Sequence, residues 1–210
     1  MDSTHYSFPL IAIGSYASSV LAEIWRNAST RHTLESKGVG SWQIFESSRE
    51  DLFLNKALNR AQLEGANFVI HLNKDVSDIP AGAHLIVGLG GSHSAQLAMV
   101  AAAGQLPACS IYSTLPFGFD AARAQAENEQ HMLEAWQEKF TAGSTMLELV
   151  DRAAYAQQHV SMVEAMRQIQ DHLIQVIVSR VSQGARYVPI GQGSIDGSQT
   201  EKHELKGEWR

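Results

Sequence analysis

His84-Leu85-Ile86-Val87-Gly88-Leu89-Gly90-Gly91-Ser92-His93-Ser94-Ala95 is an apolar run, then a glycine turn, then the start of an alanine-rich stretch that continues to about Gly104. Leu85, Ile86 and Val87 predict a buried strand, and a helix is expected from near Ser94. Glycines make positive φ cheap and let backbone N–H groups approach an anion, while the helix behind them adds its unbonded N-terminal donors and positive dipole end. Gly88, Gly90, Gly91 and Ser92 would form such a cradle, with Ser94 adding a hydroxyl. The competing reading is a tight turn that lets strand and helix pack closely. No Gly-x-x-x-x-Gly-Lys-Ser/Thr sequence occurs, and residues 75–138 contain no lysine. A phosphate here would therefore be held by amides, hydroxyls and a metal ion.

Working outward, residues 10–13 predict a first strand. It turns through Gly14 and Ser15 into a helix with an apolar stripe at Val20, Leu21, Ile24 and Trp25. Gly14 and Ser15 offer the cradle geometry a second time. Periodicity fades over residues 27–44. Ser47 and Glu50 read as a capping box for a helix carrying Leu54, Leu58 and Ala61 and ending near Gly65. Residues 68–72 and 108–113 are further strand candidates, and residues 122–140 predict a helix with Met132, Leu133 and Trp136 on one side. Val160, Val163, Met166, Ile169, Leu173, Ile177 and Val181 recur at threes and fours, which predicts one helix over residues 153–182, about 45 Å long at 1.5 Å per residue. Short apolar runs alternating with helices predict an α/β fold: a mainly parallel, Rossmann-like sheet covered by helices. Residues 1–184 are expected to form a single domain ending in the long helix. Residues 185–210 are expected to form a polar, glycine-containing tail, loose or partner-bound, with no second domain.

The 210 residues carry 16 Lys plus Arg against 22 Asp plus Glu, a formal charge of -6, and show no basic cluster. Nucleic-acid binding recovers counterion-release energy through a positive patch, so nucleic acid is not an expected partner, and an anionic membrane surface is disfavoured too. A single cysteine, Cys109, excludes an intrachain disulfide framework and points to a reducing compartment, so a cytoplasmic, soluble protein is expected.

The order of these pieces resembles the tubulin/FtsZ superfamily. Gly88 to Ser94, then residues 109–114, then Pro116-Phe117-Gly118-Phe119-Asp120, then Glu129-Gln130 follow that family's sequence of phosphate loop, strand, proline-phenylalanine-x-phenylalanine-acid loop and Ala-Glu-Gln helix. The first strand and the long helix match its first nucleotide loop and central helix. The resemblance implies a site for GTP or GDP with Mg²⁺. In it Gly14 and Ser15 lie in the first loop, Gly88, Gly90, Gly91 and Ser92 lie in the phosphate loop, Asp120 meets the ribose, and Arg123 is the nearest basic residue. It also implies assembly with itself or with a complete homologue. Residues 64–75 align either with the family's second strand or with the helix and strand just before the phosphate loop.

The chain departs from the family at Ser92-His93-Ser94-Ala95, which stands where a Thr-Gly-Thr-Gly is expected, with His93 bulky for a phosphate contact. Gln157 or Gln158 takes the place of the acid or asparagine that reads guanine. Residues 187–196 hold one acid where the family's Asn-x-Asp-x-x-Asp loop activates water. GTP hydrolysis is therefore expected to be weak or absent, and no catalytic residue is assigned. Nine histidines show no ligand spacing and no metal site is assigned, although Asp75 and Asp78 are acids that could meet Mg²⁺. Cys109 reads as a buried small hydrophobe. Three functions follow: an assembling guanine-nucleotide-binding protein with little hydrolysis, a nucleotide-free degenerate scaffold of the same fold that binds protein, and an unrelated doubly wound α/β enzyme using a small nucleotide or phosphorylated metabolite at Gly88 to Ser94.

Overall fold

The computed structural model describes residues 7–141, 143–156 and 160–183. Its strands are β1 (Phe8–Ile13), β2 (Val39–Glu46), β3 (Val69–Leu72), β4 (His84–Gly88), β5 (Ser110–Leu115) and β6 (Met146–Asp151). Its helices are α1 (Ser15–Arg26), α2 (Ala28–Ser36), α3 (Arg49–Leu54), α4 (Lys56–Leu63), α5 (Ser92–Ala102), α6 (Arg123–Gln137) and α7 (Met162–Ser182). All six strands pair in parallel in the order β3-β2-β1-β4-β5-β6, so the chain reverses its direction of winding between β1 and β4.

The sheet is parallel because every strand-to-strand connection runs through helix or a long crossover, and both faces are covered, which keeps the central strands apolar throughout. Alternate residues go to opposite faces. Leu10, Ala12, Ile44, Ile86 and Tyr112 meet α1, α2, α4 and α7 on one side, while Ile11, Ile13, Leu85, Val87 and Ile111 meet α5 and α6 on the other.

Four sequence expectations change. The faint stretch 27–44 holds α2 and most of β2. Only Leu34 of α2 is buried, and β2 interrupts its apolar alternation with Gly40, Ser41 and Gln43, so neither signals strongly. The cap falls one residue later than expected, with the Ser48 hydroxyl accepting from Asp51 N, and Asn55 divides the predicted helix by capping α4 at Leu58 N. β6 was not anticipated. The long helix is shorter: Arg152–Tyr155 is a separate 3-10 turn, and α7 starts after Ser161, whose side chain accepts from Glu164 N. At 1.5 Å per residue its 21 residues span about 31 Å. It lies across the sheet through Ala165, Ile169, Leu173, Ile177 and Val181.

Candidate functional site

In an open parallel sheet the crevice lies outside the C-terminal strand ends, where the winding reverses. Here that point is between β1 and β4. It is bounded by Gly14 and Ser15 at the head of α1, by the turn from Gly88 to Gly91, and by Ser92 and His93 at the head of α5. The structure thus brings six of the sequence-predicted residues (Gly14, Ser15, Gly88, Gly90, Gly91 and Ser92) to one edge of the sheet. Gly14 and Gly90 both have positive φ, 83° and 91°.

Several donors on that edge are met by the chain itself. Gly90 N–H donates to Glu129 Oε2 at 2.8 Å, and Glu129, on α6, is only 3% exposed. Gln125 Nε2 donates to the other oxygen of the same carboxyl at 2.7 Å. Gly91 N–H donates to Ser94 Oγ at 2.9 Å, and that hydroxyl returns a bond to Gly91 O. At the first turn Gly14 N–H donates to Phe45 O, and Glu46 at the end of β2 reaches the head of α1. Ser15 Oγ donates to Glu46 Oε2 at 2.9 Å and Ser47 N–H to Glu46 Oε1 at 3.0 Å. Each glycine turn therefore already faces a carboxyl group, placed where a helix N-terminus favours negative charge.

Side chains also fill the gap between the turns. The His93 ring lies against Gly14, its Nδ1 3.6 Å from where a Cβ would sit, with its Nε2 3.6 Å from Glu46 Oε1. Tyr16 covers Gly88, its ring 3.1 Å from a Cβ placed there. Arg152, just past β6, stacks over the Tyr16 ring at 4.5 Å and donates to Thr114 Oγ1 at 3.0 Å. Burial pushes the Tyr16 phenol above its ordinary range, and the Arg152 charge opposes that shift. In this arrangement the amide at Gly90 is bonded to a carboxyl, and His93 and Tyr16 stand against Gly14 and Gly88.

Asp120 and Arg123 flank Ala122, which packs against Gly90. Asp120 is exposed in the loop before α6. Arg123 is consumed in a bidentate pair with Asp151 at 2.7 and 3.1 Å, with further bonds to Glu127 Oε1 and Pro116 O. The Arg123 guanidinium holds Asp151 below the usual carboxylate range. Gln157, Gln158 and residues 187–196 lie outside the described residues. Asp75 caps the turn Val76–Asp78 through Ser77 N, and among the described residues no cluster of three or more His, Cys, Asp or Glu could hold a metal ion. Cys109 is buried and its thiol is pushed far up by burial. No helix among the described residues is long and apolar enough to cross a membrane.

The sequence alone points to His93 and Glu129 without a role at the turns, and not to Glu46 or Arg152. The last two sit at the ends of β2 and β6, the two strands that carry the weakest pattern.

The fold recurs in solved structures. CetZ2 from Haloferax volcanii, described as a GTPγS-bound protofilament, aligns at a TM-score of 0.54 with 14% identity, over 87% of this chain and 61% of that one. The empty FtsZ dimer of M. jannaschii aligns at 0.54 with 12% identity, over 85% and 55%. The chain has the FtsZ/tubulin fold. It spans less than two thirds of the length of both FtsZ/tubulin structures. No protein-family model and no curated protein matches the sequence.

Proposed function

We propose that this chain is an assembly protein of the FtsZ/tubulin fold that associates with itself or with a complete homologue and works without bound nucleotide. The observation that carries this reading is the Glu129 carboxyl on Gly90 N–H. A phosphate reaching Gly90 N–H would have to displace the buried Glu129 side chain, and the His93 ring already lies against Gly14. Glu46 repeats the substitution at α1. What remains of the fold's use is its surface, and the similar solved structures are a protofilament and a dimer.

A second reading keeps GTP or GDP, with Mg²⁺, in the crevice, held by Gly14, Ser15, Gly88, Gly90, Gly91 and Ser92, with Asp120 toward the ribose and Arg123 nearby. Two positive-φ glycine turns flanking the winding reversal favour it. Calorimetric titration of ligand-free protein with GTP, GDP and ATP in Mg²⁺ separates the two. No heat with any nucleotide is the expected result, and guanine-selective binding would overturn the nucleotide-free reading. Sedimentation with and without a complete homologue of this fold tests the assembly half.

A further inference from the structure

We draw no further inference here: the strongest candidate, the polar cleft of about 440 Å³ between the heads of α1 and α4 and lined by Ser15, Ser19, Asp51, Leu54, Asn55 and Lys56, carries nothing because it rests on two helix N-termini beside the exposed Asp51 and Lys56, and nothing in the structure shows what fills it.

Discussion

At Gly90 the backbone φ is 91°, and an added Cβ would lie 2.9 Å from both the Cβ and the carbonyl oxygen of Ala122. Glycine is required here by backbone conformation and by packing on the loop before α6. Gly90→Ala should destabilise the protein by about 2–4 kcal/mol in urea unfolding, and a loss under about 1 kcal/mol would show that the turn relaxes freely. Glu129→Ala should cost about 1–3 kcal/mol by leaving the Gly90 N–H unpaired. Glu129→Gln should recover most of that, since its amide oxygen can still accept from Gly90 while Gln125 flips to face it. An equal loss in both variants would mean that the carboxyl matters for its charge, not for the bond. Residue by residue, the glycine positions were legible because positive φ leaves a compositional mark. Their partners were not. Glu46 and Glu129 reach the turns from β2 and α6, 32 residues after Gly14 and 39 after Gly90 in the chain, and no local pattern encodes such a contact.

Strong elements were read by period and weak ones by nothing. β1, β4 and β5 are buried on both faces, so their apolar runs are nearly unbroken and visible. β6 alternates Glu148 among apolar residues at the open side of the sheet, and β2 carries Gly40, Ser41 and Gln43, so both fall below the signal of a buried strand. The start of α7 differs because Val160 continues its apolar spacing beyond its cap, Ser161, and Val163 in its first turn extends the same stripe. Val163 is in fact 81% exposed, whereas Leu173 is fully buried. The consequence is measurable. Leu173→Ala should cost about 2–5 kcal/mol by opening a cavity between α7 and the sheet. Val163→Ala should change stability by less than about 0.5 kcal/mol. Comparable losses in the two would mean that the helix seats on a different face.

For the whole molecule, the feature that ties the sheet to solution conditions is a buried imidazole. His84 opens β4 between β1 and β5, 3% exposed, its Nδ1 2.8 Å from Tyr112 Oη and its ring tilted against Phe8 with centroids 4.4 Å apart. Burial lowers its pKa to about 4, from an ordinary value of 6.5. A group whose folded pKa is depressed favours folding above its unfolded pKa and withdraws that support as pH falls toward the folded value. The native state therefore keeps His84 neutral while the unfolded chain takes up a proton below about pH 6.5, and up to about 3 kcal/mol of stability should drain away between pH 6.5 and 4. Asp151, held below its ordinary 3.8 by Arg123, adds a second loss only at lower pH, and a small one because the pair is partly exposed. Urea midpoints across pH 4–7.5 should fall on the acid side in the wild-type protein and stay much flatter in His84→Gln, which keeps a hydrogen-bonding group near Tyr112 without a titrating ring. Parallel curves for the two would place the acid sensitivity outside the sheet.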